Sequence, residues 1–189
     1  MKKIGIYGGT FDPIHHGHLI LAREALEVLG LDKVIFVPAR VSPQKGRAPI
    51  ASPETRLAML QAATAGESQF VVDDCELRRP PPSYTIETVE NIRAHEAGCE
   101  LYCFVGEDNV PSLPTWHRFD ELKKLVGFVV LDRSGTEITH GYPVVQRKID
   151  ISASEIRSRV ASNRSIRYLV PSEVEEIIRR HNLYREAPQ

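Results

Sequence analysis

Excess charge is the first thing this chain lacks: 24 Lys and Arg stand against 25 Asp and Glu over 189 residues, a formal net charge of -1. Tracking a nucleic-acid backbone takes a broad basic face, so polymeric nucleic acid is not an expected partner. Long apolar runs are also missing, and no stretch approaches the roughly 20 residues of a membrane span. The apolar stretch behind Met1-Lys2-Lys3 ends at Gly8-Gly9, too short for a signal peptide. Cysteine is scarce as well. Cys75, Cys99 and Cys103 do not form a disulfide framework, and with no export signal they point to a reducing cytoplasm. No cysteine or carboxylate stands at ligand spacing beside the histidines, so no metal held by protein ligands is expected. Internal repeats are lacking, and the only biased stretch is Pro80-Pro81-Pro82.

With 42% hydrophobic residues, a chain of this length buries one good core. A single domain over 1–189 is expected, with a helical C-terminal part from about 152 to 189; a homo-oligomer is left open. Strands are expected through Ile4 to Tyr7, Val34 to Pro38, Phe70 to Val72, Leu101 to Val105 and Gly127 to Leu131. Helices are expected between them. One carries Leu19, Ala22, Leu26 and Leu29 on one face. A second opens at Ser52-Pro53 with Leu57, Leu60 and Ala63 as its stripe, and a third is capped by Thr85. A short helix is expected from about Arg118. Ser152 with Glu155, and Ser172 with Glu175, read as capping boxes of two closing helices, after which Leu183-Tyr184 packs the chain end back on the body. The alternation predicts an α/β fold, a Rossmann-like doubly wound parallel sheet with C-terminal helices.

The densest chemistry lies at the first strand-to-helix joint, Gly8-Gly9-Thr10-Phe11-Asp12-Pro13-Ile14-His15-His16-Gly17-His18. Glycines let a backbone approach a ligand without a Cβ in the way, and the free N–H groups of a helix start favour phosphate. His15 and His18 are three apart, so both rings can lie on one side of the new helix and donate N–H bonds to phosphoryl oxygens. Solvated helix-start histidines and a zinc site are the competing readings. His16 points elsewhere and has no assigned role.

Gly-Gly-Thr-Phe-Asp-Pro followed by His-x-Gly-His resembles the signature of the Rossmann-like nucleotidyltransferase superfamily, and specifically of the nicotinate mononucleotide adenylyltransferases. Ile151-Ser152-Ala153-Ser154-Glu155-Ile156-Arg157 is similar to that family's second signature, Ile-Ser-x-Ser/Thr-x-Ile-Arg. Between them, Glu76-Leu77-Arg78, Pro82-Ser83-Tyr84-Thr85, Gly106-Glu107-Asp108 and Pro114-Thr115-Trp116 fall where the family places substrate contacts. The resemblance covers nearly the whole chain. It implies adenylyl transfer from ATP to nicotinate mononucleotide, giving nicotinate adenine dinucleotide and pyrophosphate in NAD biosynthesis, with Mg2+ carried on the ATP phosphates.

On that resemblance the catalytic residues are His15, His18 and Arg157. The ATP site takes Gly8, Gly9, Thr10, Phe11, Gly106, Asp108, Ile151 and Ser152 as well, with Asp108 near the ribose and Ser152 and Arg157 on the β and γ phosphates. Lys45, Tyr84, Thr85, Trp116 and Arg133 fall to nicotinate mononucleotide, Lys45 and Arg133 towards its phosphate. Gln44 stands where the family has histidine. A helix starting at Tyr84-Thr85 would favour a carboxylate over a carboxamide, and the Trp116 face would stack on a cationic pyridine ring. Each has a plainer alternative: Ser152 as an ordinary cap, Lys45 as a solvated loop lysine, Asp108 as a helix-start acid, Trp116 as core. Rival functions are another adenylyl- or cytidylyltransferase of the superfamily, of the phosphopantetheine or glycerol phosphate type, and a non-catalytic nucleotide-binding module. A class I aminoacyl-tRNA synthetase shares the histidine turn, but the chain is too short for anticodon recognition.

Overall fold

The computed structural model describes residues 1–41, 48–135 and 140–185. Its centre is a six-stranded sheet made of β1 (Lys3–Gly9), β2 (Lys33–Pro38), β3 (Phe70–Val72), β4 (Glu100–Gly106), β5 (Gly127–Asp132) and β6 (Val144–Gln146). Every pairing is parallel and the order is β3-β2-β1-β4-β5-β6. Strand order reverses between β1 and β4. Ligands of such sheets sit at that reversal, beyond the carboxyl ends of the strands.

Both faces of the sheet are covered, and the period of two along each strand explains how. Val34, Phe36, Phe104, Val129 and Leu131 pack into one apolar cluster, while their alternates Ile35, Val37, Cys103, Val105, Phe128 and Val130 pack into another. The first cluster is closed by α1 (His16–Val28), α2 (Pro53–Thr64), α6 (Ala153–Ala161) and α7 (Ser172–Arg180), through residues such as Leu21, Met59, Ile156 and Ile178. The second is closed by α3 (Cys75–Arg78), α4 (Thr85–His95) and α5 (Phe119–Leu125). Gly5 is needed at the centre of β1, where a Cβ would lie 2.5 Å from the Phe104 ring.

The five expected strands are present, and the structure adds β6, α3 and a 3-10 helix over Glu107–Thr115. Three expectations about caps and faces are corrected. Tyr84, not Thr85, is the N-cap of α4, and Thr85 is its first helical residue. Ser172 lies inside α7, whose N-cap is Pro171, and its hydroxyl donates to Glu173 at 3.1 Å, so no capping box forms there. In α2 the buried face is Arg56, Met59, Leu60 and Thr64, with Leu57 only half-buried. That helix turns an arginine inward because four backbone carbonyls await it: Arg56 donates to those of Thr10 and Ala39 at 2.7 Å and those of Ala51 and Arg40 at 3.3 Å.

Candidate active site

The joint after β1 is built around close approaches. A Cβ on Gly9 would lie 2.9 Å from the Phe11 ring, whereas one on Gly8 would meet only open space. Phe11 is buried in the left-handed region at φ 48°, a strained conformation for a bulky residue. Asp12 secures the turn from below. Its carboxylate accepts the N–H groups of Ile50 at 2.7 Å and Ala51 at 3.1 Å and the hydroxyl of Tyr184 at 2.6 Å. The expected packing of the chain end is therefore a specific bond to the first motif.

His15 is the N-cap of α1 and is buried, 2% exposed. Its ring stacks on that of His18 at 3.7 Å, and the His18 ring stands edge-on to Phe11 at 5.1 Å. Gly17 makes this arrangement possible, since a Cβ there would press on the His15 ring at 3.0 Å. The backbone N–H of His15 donates to His18 Nδ1 at 3.3 Å. An accepting Nδ1 carries no proton, so the bond assigns the His18 proton to Nε2. Burial pushes the His15 pKa down to about 3, helped by the Arg133 guanidinium and by His16. At neutral pH, His15 accordingly offers hydrogen bonds but no charge.

The second motif arrives from the other end of the chain and meets this turn. Arg157 on α6 donates from Nη1 to the Asp12 carbonyl at 2.8 Å and from Nη2 to Ser154 Oγ at 3.2 Å. The Ile151 carbonyl lies 3.4 Å from where a Gly17 Cβ would be, and it accepts Arg133 Nη1 at 3.0 Å. Ser152 caps α6 by accepting the Glu155 N–H at 3.1 Å, and the Glu155 side chain lies 3.9 Å from Arg159. Gly106 ends β4, and its lack of a side chain admits Asp108, whose Oδ1 would be 2.5 Å from a Cβ there. The Tyr7 ring stands edge-on to Phe11 at 5.6 Å and to His18 at 6.0 Å, and burial drives its pKa far up.

A second group gathers around the start of α4. Trp116, directly after the 3-10 helix, is half-buried and meets Phe128 edge-on at 6.3 Å. Its neighbour His117 stacks on the Tyr84 ring at 4.3 Å, so Tyr84, Thr85 and the Trp116 segment form one patch. His117 was not expected there, because nothing in its sequence context marks it. Glu76, also among the expected contacts, is buried and accepts the Thr88 hydroxyl at 2.6 Å, while Arg78 is exposed and paired with Asp74. Lys45 and Gln44 lie outside the described residues.

Buried polar atoms without a partner mark the same places. Among the described residues these are Thr10 Oγ1, His15 Nδ1, Trp116 Nε1, Arg157 Nε and Arg79 Nε. Four of the five belong to residues expected to bind substrate, and an orphaned buried group is costly unless a ligand or water completes it. Among the described residues no group of three or more His, Cys, Asp or Glu is placed to hold a metal ion, and no helix is long and apolar enough to cross a membrane.

A parallel sheet of this order, with a glycine- and histidine-bearing turn and a distant arginine motif meeting at its carboxyl edge, defines a nucleotide-binding α/β protein of the nucleotidyltransferase class. A family model described as "Cytidylyltransferase-like" matches residues 6–159. Relatives named probable nicotinate-nucleotide adenylyltransferase are 44% identical in Geobacillus thermodenitrificans, covering 97% of this chain and 87% of the relative, and 44% identical in Shouchella clausii, covering 97% of each. The solved Plasmodium falciparum nicotinic acid mononucleotide adenylyltransferase complexed with NaAD superposes with a TM-score of 0.81 at 19% identity, over 98% of both chains. The chain belongs to the nicotinate-nucleotide adenylyltransferase family.

Proposed function

We propose that this protein joins nicotinate mononucleotide to ATP, forming nicotinate adenine dinucleotide and releasing pyrophosphate. The observation that carries the reading is the meeting of the two chain ends, with the Arg157 guanidinium on the carbonyl of Asp12 inside the histidine turn. A phosphate oxygen of the mononucleotide attacks the α-phosphorus of ATP, a new P–O bond forms, and the bond to the β-phosphate oxygen breaks. The nucleophile is already an anion, so no general base is required.

His18 donates from Nε2, with His15 beside it, to the α-phosphoryl oxygens as charge develops on them. Arg157 and the capped start of α6 face the outgoing pyrophosphate, and Asp108 accepts from the ribose hydroxyls. The start of α4 takes the pyridine carboxylate, with Trp116 against the ring and Arg133 towards the mononucleotide phosphate. Lys45 keeps its proposed place on that phosphate. Mg2+ enters with its nucleotide, because among the described residues no group of three or more His, Cys, Asp or Glu is placed to hold a metal ion. When bound it neutralises triphosphate charge.

The test is turnover of purified protein with ATP and either nicotinate or nicotinamide mononucleotide, followed by pyrophosphate release. The acid is expected to be the better substrate by at least about tenfold in kcat/KM. No turnover of either compound would overturn the reaction, and equal efficiencies would overturn the proposed role of α4.

A further inference from the structure

The first turn of α4 is held by a buried cluster that the proposed reaction does not use. Glu76 on α3 is 7% exposed, and its carboxylate accepts the Thr88 hydroxyl at 2.6 Å. Ser83 immediately precedes the Tyr84 cap, and Thr88 sits one turn into the helix. The buried carboxylate therefore holds the first turn of α4 through Thr88. Arg79 completes the cluster. It donates from Nη2 to Thr88 Oγ1 at 2.7 Å and lies 3.4 Å from Glu87, so the Thr88 hydroxyl accepts from the guanidinium and donates to Glu76. On its other side, Ser83 Oγ accepts the Arg40 N–H at 3.2 Å and the Ser83 N–H donates to the Val41 carbonyl at 3.3 Å, which ties the segment to the end of β2.

Tyr84 provides no side-chain cap, so the first N–H groups of α4 have no acceptor within the helix itself. Selecting a carboxylate over a carboxamide by such N–H groups depends on their direction, because the two ligands differ only in charge and in one donor for acceptor exchange. We infer that Glu76 is a positioning residue which, through Thr88, sets the start of α4 for the pyridine carboxylate and thereby sets the preference for the acid substrate. Its part is hydrogen bonding more than charge, since a second carboxylate close to an anion site would otherwise oppose binding. The inference rests on the proposed function.

Wild-type protein is assayed first with both pyridine mononucleotides; absence of turnover there sinks the functional reading and is distinct from the outcomes below. In Glu76→Ala, KM for nicotinate mononucleotide is expected to rise about tenfold or more and the acid-to-amide ratio of kcat/KM to fall about fivefold or more, with KM for ATP and kcat within about twofold of wild type. Glu76→Gln keeps an acceptor for the Thr88 hydroxyl and is expected to restore the wild-type ratio to within about twofold. If Glu76→Ala does not fold, Thr88→Val, which removes the relay at nearly constant volume, is expected to show the same split. An unchanged ratio in the folded variant, or KM for ATP rising in parallel, overturns the inference, as does a Glu76→Gln variant as impaired as the alanine.

Discussion

At the scale of single residues, the stacked pair His15 and His18 divides its work by environment. His18 has its Nδ1 occupied by a backbone N–H and is left with Nε2 as donor. Replacing it by Ala is expected to lower kcat by about a hundredfold or more while thermal stability stays close to wild type; a folded variant turning over near normally would remove it from the reaction. His15 is buried, and that burial, with the Arg133 guanidinium acting at a distance, keeps out a proton. Between its ordinary value of 6.5 and about 3, the unfolded chain binds that proton and the folded chain does not, so the stabilisation is complete above 6.5 and fades as pH falls towards 3. Unfolding free energy should therefore drop more steeply between pH 6.5 and 4 in the wild type than in His15→Gln, and equal slopes in urea titrations would contradict this. The sequence shows three histidines clustered at a glycine turn, but not which of them is buried, because the Ile151 carbonyl beside Gly17 and the Arg133 guanidinium bonded to it arrive from far along the chain. Asp12 and Tyr184 were similarly unreadable as partners at a separation of 172 residues. Tyr184→Phe removes a buried donor to that carboxylate and is expected to cost about 1–3 kcal/mol, measured by its denaturant midpoint.

At the scale of elements, what was legible followed periodicity and what was not followed contact. β1, β2, β4 and β5 are buried runs of apolar residues and stand out in the sequence, whereas β6 has only Val144–Gln146 behind a proline and is recognisable only once its partner β5 is known. The 3-10 helix over Glu107–Thr115 contains Pro111 and Pro114, which argue against a helix when read alone. Ser52 and Ser152 were identifiable as caps because each accepts the N–H three residues on, while Ser172 has the same spacing with its serine already inside the helix. Of the expected α2 stripe, Leu60 is buried and Ala63 packs against the core, but Leu57 is half-buried and a buried cation stands where hydrophobicity gives no signal. Arg56 is 0% exposed and serves four carbonyls, so Arg56→Met should destabilise the protein by about 3 kcal/mol or more; a chemical denaturation curve within about 1 kcal/mol of wild type would show those carbonyls finding other partners.

At the scale of the molecule, the sheet does what a parallel order with a central reversal permits: it delivers one turn, one strand end and one distant helix to the same edge. α6 and α7 are not an appendage in packing, since Ile156, Val174 and Ile178 lie in the same apolar cluster as α1 and α2. This shared core is why Arg157 can rest on a carbonyl 145 residues earlier, and why orphaned polar atoms of Thr10, His15 and Arg157 lie around one turn. The two signatures were visible as motifs, and their contact was not, because no local pattern encodes which sheet edge a C-terminal helix will close. On the proposed function, both motifs hold a single triphosphate. A crystal structure with an ATP analogue that cannot be cleaved between the α and β phosphates tests it most directly. An α-phosphoryl oxygen is expected within hydrogen-bond distance of His18 Nε2, and a β or γ oxygen within hydrogen-bond distance of the Arg157 guanidinium in the same molecule. A nucleotide seated against one of these residues with the other more than one phosphate chain away would contradict it.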